Sequence, residues 1–167
     1  MSRSTPGHGQ SSPSPANGQP TEIDVPPPHI AQVLDQIQQA LDAADWDRAQ
    51  GILNRTRLPS PWMSNAIGVC QIRGGHADAA VQTYRRLVLS SGGLQLRDDI
   101  PVVCKLNFAL ALLCSENFDG FESIFAQLSN ETHPAVEEVR RAYQEWRSSL
   151  TLWQRVRKSL VGVAGVP

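Results

Sequence analysis

Three short stretches of the chain begin in the same way, and this recurrence constrains the fold more than any other feature. They are DWDRAQGIL from Asp45, HADAAVQTY from His76 and NFDGFESIF from Asn117. In each, an aspartate stands third, a packing residue follows two positions later, and a larger apolar residue comes four positions after that. An acid in the first turn meets the positive end of a helix dipole, and Asp and Asn are good N-caps. We therefore predict that a helix starts at each stretch. The packing residues are Ala49, Ala80 and Phe121, and the larger residues are Leu53, Tyr84 and Phe125.

Another stretch with helical periodicity precedes each of these starts, so the repeated unit is helix–turn–helix. In the first unit the upstream helix begins at HIAQVLDQIQQAL, where apolar residues recur at spacings of three and four. Such a pair of helices cannot bury its apolar face alone and must stack on its neighbours. The sequence predicts an all-α fold with three helical hairpins, at residues 29–60, 61–93 and 101–134.

The middle hairpin resembles the tetratricopeptide repeat (TPR) family. Gly68, Gly75, Ala80 and Tyr84 stand where that family places a small residue, a turn glycine, a second small residue and an aromatic residue. The resemblance implies a right-handed TPR-like stack of three hairpins. The copies are 31 and 41 residues apart, against a family period of about 34, and we assign the extra length to a loop at residues 90–101. The departures from the family pattern are Ile37 and Ala44 in the first copy, and Ala109, Glu116 and Phe121 in the third.

The two ends of the chain differ from the repeats. Of the first 28 residues, 15 are Pro, Ser or Gly, and such a segment buries too little apolar surface to offset its ordering entropy. We predict a disordered leader at residues 1–25. Residues 135–160 carry one apolar stripe and are predicted to form a C-terminal capping helix or helices, because repeat stacks need a terminal helix with a polar face. Residues 161–167 are a tail.

The sequence offers no pattern for catalysis or metal binding. Cys70 and His76 flank the glycines of the middle turn, where the cysteine is expected to pack and the histidine to start a helix. There is no CxxC pair, GxSxG elbow, HExxH motif or phosphate-binding glycine loop in the chain. We therefore predict a protein that is not an enzyme, with no cofactor, metal ion or small-molecule substrate.

Composition narrows the cellular context. The formal net charge is -1, so the chain has no overall positive charge to attract nucleic acid. Nucleic acid is therefore not an expected partner. An odd number of cysteines does not indicate a disulfide framework and fits a reducing compartment. No run of about 18 apolar residues and no signal-like stretch occurs. A cytoplasmic location is predicted.

The family resemblance also implies how the chain binds a partner. In that family the first helix of each pair lines a concave groove that receives a peptide or a helix. We therefore predict an interaction module, of chaperone or scaffold type, that binds a protein segment through an apolar groove. The carboxylate clamp of some family members is rejected, because Leu34, Gln38 and Val103 occupy its basic and amide positions. The predicted groove residues are Leu34, Gln38, Leu41, Asn65, Val69, Ile72, Arg73, Asn107, Leu110 and Leu113.

A second hypothesis rests on the C-terminal segment. Residues 146–167 contain four basic residues and no acids. A basic helix that carries Trp146 and Trp153 would suit an anionic membrane surface or an acidic partner. On this alternative the protein is a peripheral adaptor. Its basic surface is formed by Arg147, Arg155, Arg157 and Lys158.

Overall fold

The computed structural model describes residues 22–56 and 58–149. They form seven α-helices, and this part of the chain contains no β-strand beyond an isolated bridge between Leu89 and Leu96. The predicted all-α fold is therefore confirmed for these residues. The helices are α1 (Pro28–Asp42), α2 (Trp46–Arg55), α3 (Pro61–Arg73), α4 (Ala77–Val88), α5 (Val102–Cys114), α6 (Phe118–Gln127) and α7 (Pro134–Ser149).

The loops that join α1 to α2, α3 to α4 and α5 to α6 share one backbone geometry. Ala44, Gly75 and Glu116 all adopt left-handed conformations, with φ of 53°, 79° and 59°. In every loop the next residue donates its N–H to the carbonyl oxygen five positions earlier, over 2.8 or 2.9 Å. This is the Schellman arrangement, which satisfies carbonyl groups at a helix end. The three loops are thus equivalent, although only one has glycine at the left-handed position.

Glycine should be the better residue in the other two loops. We expect Ala44→Gly and Glu116→Gly each to raise the free energy of unfolding by about 0.5–1 kcal/mol, because glycine avoids the steric cost of a positive φ. Gly75→Ala should lower it by about 1 kcal/mol for the same reason. Urea denaturation measures these changes. Ala43→Gly is the control, since Ala43 has a φ of -81° and gains nothing from glycine. A stabilising Ala43→Gly change, or a destabilising Ala44→Gly change, would contradict the explanation.

The predicted starts of α2 and α6 are confirmed by their caps. The Asp45 side chain accepts a hydrogen bond from the Arg48 N–H at 3.0 Å, and the Asn117 side chain accepts one from the Gly120 N–H at 2.9 Å. His76 precedes α4 without a side-chain cap of this kind. In all three helices the third residue of the repeated stretch lies in the first turn, where its negative charge interacts favourably with the positive end of the helix dipole. These acids are Asp47, Asp78 and Asp119.

The helices pack in the order of the chain. The pairs α1–α2, α3–α4 and α5–α6 each form close contacts, and α1 also contacts α3, α3 contacts α5, and α5 contacts α7. The packing residues Ala49, Ala80 and Phe121 are all buried. One core cluster joins the first pair to α3, and a larger one joins the second and third pairs.

Gly68 lies at the crossing of α3 and α4. A Cβ atom added there would lie 2.4 Å from two ring carbons of Tyr84, and Tyr84 is fully buried. The ring therefore occupies the volume that any larger residue at position 68 would need. The cost of glycine inside a helix, about 1 kcal/mol relative to alanine, is offset by this close packing.

Residues 89–101 connect α4 to α5 and account for the longer spacing before the third pair. Leu89 and Leu96 form the bridge, and the Gln127 side chain accepts a hydrogen bond from the Leu96 N–H and donates one to the Leu94 carbonyl oxygen. The loop is therefore fastened to the end of α6. The Leu94 side chain at its tip is 81% exposed.

Helix α7 closes the third pair. Its Val136 is buried against α5, and its Tyr143 ring meets the Phe121 ring of α6 edge to face, with centroids 5.1 Å apart. Arg140 donates from Nη2 to the carbonyl oxygens of Leu128 and Ser129, just after α6. A cation suits this end of a helix dipole. The rest of the predicted capping segment, residues 150–160, and the tail at 161–167 lie outside the described residues.

The predicted leader lies only partly within the described residues. Residues 1–21 are outside them. The prediction also placed residues 22–25 in the leader, but here they begin with a 3-10 turn at Glu22–Asp24, and Asp24 contacts the first residue of α5. Residues 22–25 contain no Pro, Ser or Gly, so the composition on which the leader prediction rests does not describe these four residues.

Candidate interaction face

Accessible residues line one face of α3 and the matching face of α5. On α3, Trp62, Asn65, Val69 and Ile72 recur at spacings of three and four, and all are half-buried. The positions 41 residues after Trp62, Val69 and Ile72 lie on α5 and are half-buried as well. On α1 the equivalent positions, 31 residues earlier than α3, include Leu34 and Gln38. We call this set the contact face. It comprises Leu34, Gln38, Trp62, Asn65, Val69, Ile72, Arg73, Val103, Asn107, Leu110 and Leu113.

The predicted apolar groove residues occupy two kinds of environment. Five of them are half-buried and pack with one side against a core cluster while the other side remains accessible. Leu41 differs, because it is only 5% exposed and belongs to the same core as Ala49 and Leu53 of α2. Leu41 therefore lies beneath the contact face rather than on it. The five half-buried residues are Leu34, Val69, Ile72, Leu110 and Leu113.

The two predicted asparagines take part in a hydrogen-bond network that joins three helices. The Tyr84 hydroxyl lies 3.1 Å from both the backbone oxygen and Oδ1 of Asn65. Asn107 Nδ2 donates to Asn65 Oδ1 over 2.9 Å. Burial raises the pKa of Tyr84 above its ordinary value, so the hydroxyl keeps its proton. The network fixes α3, α4 and α5 relative to one another at the middle of the contact face.

Gln38 and Arg73 meet at one carboxylate. Gln38 Nε2 donates to Asp42 Oδ1 over 2.6 Å, and Arg73 Nη1 donates to the same oxygen over 3.2 Å. The Arg73–Asp42 pair links the ends of α3 and α1. Because both side chains are exposed to solvent, this ion pair contributes little to stability. These polar groups border the apolar part of the contact face.

The predicted groove left out two residues of the contact face, although Val103 was named as a position of the rejected carboxylate clamp. Trp62 precedes Asn65 by three positions and Val69 by seven, so helical spacing alone was enough to place it there. Val103 is its counterpart on α5. Ile67 is accessible too, with 40% of its surface exposed, but it lies about 160° around α3 from Val69 at 100° per residue. It belongs to the opposite side of that helix.

The middle turn borders an open depression of about 330 Å³. Its lining includes Cys70 and His76, the pair flanking the glycines, and the partly exposed ring of Trp46. Burial raises the pKa of the Cys70 thiol above its ordinary value and outweighs the positive charge of Arg73, which lowers it. A thiol that stays protonated at neutral pH is a poor nucleophile and metal ligand. In residues 22–56 and 58–149, no group of three or more His, Cys, Asp or Glu is arranged to hold a metal ion.

The alternative basic surface is only partly described. Arg147 is exposed in the last turn of α7, whereas Arg155, Arg157 and Lys158 lie outside the described residues. Among the helices that the structure does describe, none has the length and apolar character needed to cross a membrane.

No protein-family model, curated protein or solved structure matches the chain.

Proposed function

We propose that this protein is a non-catalytic interaction module, built as a TPR-like right-handed stack, whose contact face binds a peptide or an amphipathic helix of another protein. Apolar side chains of the partner would pack against the half-buried residues of α3 and α5. The polar groups at Gln38, Asn65, Arg73 and Asn107 would border them. Scaffold and chaperone roles both use binding of this kind.

The observation that carries the proposal is that α3 and α5 have apolar residues on their accessible sides. A helix at a protein surface normally turns polar residues to water, and α1 does so with Gln32, Asp35 and Gln39, all exposed. The accessible side of α5 instead carries Val103 and Leu110 beside Asn107, all three half-buried. Apolar residues that remain accessible along neighbouring helices are typical of a surface that a partner covers.

Charge placed on the contact face should abolish partner capture. We expect Val69→Glu and Leu110→Glu each to weaken binding by about a hundredfold or more, since an apolar ligand would leave the carboxylate buried and unpaired. The measurement is affinity capture with the full chain, with bound proteins quantified by mass spectrometry. Circular dichroism run in parallel checks that the helices remain intact.

Ile67→Glu is the matched control for Val69→Glu. It places the same charge on the same helix but on the opposite side, so capture should be retained. Val69→Ser is a milder change, to be used if Val69→Glu unfolds. Folded contact-face variants that still capture every partner would refute the proposal. In that case, loss of binding to anionic vesicles on substitution of Arg155, Arg157 and Lys158 by Gln would favour the adaptor hypothesis.

A further inference from the structure

The segment that precedes α1 reaches the third helix pair. Asp24 Oδ1 accepts a hydrogen bond from the Val102 N–H over 2.8 Å, between residues 78 positions apart in the chain. Asp24 ends the 3-10 turn at Glu22–Asp24, and residues 25–27 lead from it into α1. We call residues 22–27 the strap.

In this contact Asp24 caps the N-terminus of α5, although it is far from α5 in the sequence. The first N–H groups of a helix have no partner within it, and α2 and α6 satisfy one of theirs with the side chains of Asp45 and Asn117. The N-cap of α5 is Pro101, which makes no such side-chain hydrogen bond. Asp24 supplies the missing acceptor, and its negative charge lies at the positive end of the α5 dipole.

The strap also skips a helix pair. In a repeat stack each unit normally contacts only its neighbours, and the first and third pairs here are connected through α3. The four residue steps from Asp24 to Pro28 span at most roughly 14 Å. The hydrogen bond to Val102 therefore limits how far the N-terminal ends of α1 and α5 can separate.

Little apolar surface holds the strap in place. Ile23 and Val25, on either side of Asp24, are 47% and 54% exposed. Apolar burial is therefore only partial here, and the Asp24 carboxylate is the polar group that joins the strap to α5. An attachment of this kind can be released without disturbing a helix core.

We propose that the strap is a conformational device that fixes the spacing of the first and third helix pairs, so that its release at Asp24 lets the contact face open. This goes beyond partner binding and can be tested without any partner. The test uses the full chain with spin labels at Gln32→Cys and Asp98→Cys, two exposed positions near the N-terminal ends of α1 and α5, after Cys70→Ser and Cys114→Ser. Cys104 is retained because it is buried and burial raises its pKa to about 12, so it does not react.

Electron paramagnetic resonance then gives the distribution of distances between the two labels. We expect one narrow distribution in the parent protein, and a broader one shifted to longer distances after Asp24→Ala. Asp24→Asn should keep the narrow distribution, because an amide oxygen also caps a helix. Asp35→Ala is the matched control, since it removes an exposed acid from α1. The Val102 N–H should exchange with solvent at least tenfold faster in Asp24→Ala.

Two truncations distinguish the effect of the strap from that of the residues that precede it. Removing residues 1–21 keeps Asp24 and should leave the distance distribution unchanged, whereas removing residues 1–25 should broaden it as Asp24→Ala does. Circular dichroism confirms that each protein is folded. The proposal is overturned if the folded Asp24→Ala protein shows the parent distribution, or if both truncations broaden it equally.

Discussion

Gly68→Ala is expected to lower the free energy of unfolding by about 3 kcal/mol, whereas Gly51→Ala is expected to raise it by about 0.5–1 kcal/mol. Both glycines lie inside helices, so alanine improves helix propensity at each. At Gly68 the new Cβ would lie 2.4 Å from the ring of Tyr84, which is fully buried and hydrogen-bonded to Asn65, so the ring or the helix must shift. At Gly51 the nearest atom is the end of the flexible Arg55 side chain, 3.6 Å away.

Equilibrium urea denaturation of the two variants tests this difference. The double variant Gly68→Ala, Tyr84→Leu should be less destabilised than the sum of its two single changes, because leucine no longer fills the space that the new methyl group needs. If Gly68→Ala is as stable as the parent protein, α3 and α4 do not cross at this point.

Phe121→Ala is expected to cost about 3–5 kcal/mol, the range for removal of a buried aromatic side chain. Phe121 is 1% exposed, and its ring stacks on Phe125 at a centroid distance of 5.2 Å and meets Tyr143 of α7 edge to face. Removal of the ring leaves a cavity and takes away the part of the α7 packing surface that contacts Tyr143.

Thermal unfolding and hydrogen exchange measure this effect together. Exchange should accelerate first in α7, because its contacts to α6 involve the aromatic rings. The control is Leu94→Ala, which also removes a large apolar side chain, but one that is 81% exposed, so stability should change by less than about 0.5 kcal/mol. Equal losses in the two variants would mean that Phe121 is not in the core.

Local features of the fold could be predicted from the sequence because they recur. The spacing of 31 and 41 residues located all three helix–helix loops, and it pairs Ala44 and Glu116 with Gly75 even though only glycine favours that conformation. Caps at Asp45 and Asn117 follow from side-chain chemistry that acts within three residues. Helix caps and helix–helix loops depend on residues close in sequence, so a repeated sequence pattern is enough to predict them.

Long-range polar contacts leave no such pattern. The hydrogen bond between Asp24 and the Val102 N–H joins a Pro-rich segment to the start of a helix. Nothing in the sequence of either segment predicts that the two are in contact. The same holds for Asn65 and Asn107, since an asparagine on a helix suits both water and a buried network. Leu41 shows a different limit: its spacing places it on the contact face, but the way α2 folds back along α1 buries it.

The hydrogen bond between Asp24 and Val102 also has a place in the order of folding. It closes a loop of 78 residues, whereas the contacts within each helix pair join residues close in sequence and therefore form sooner. Its acceptor and donor come together only after three pairs have stacked. We therefore expect the strap to attach late in folding and to detach early in unfolding, so that the Val102 N–H loses protection from exchange before the helix interiors do.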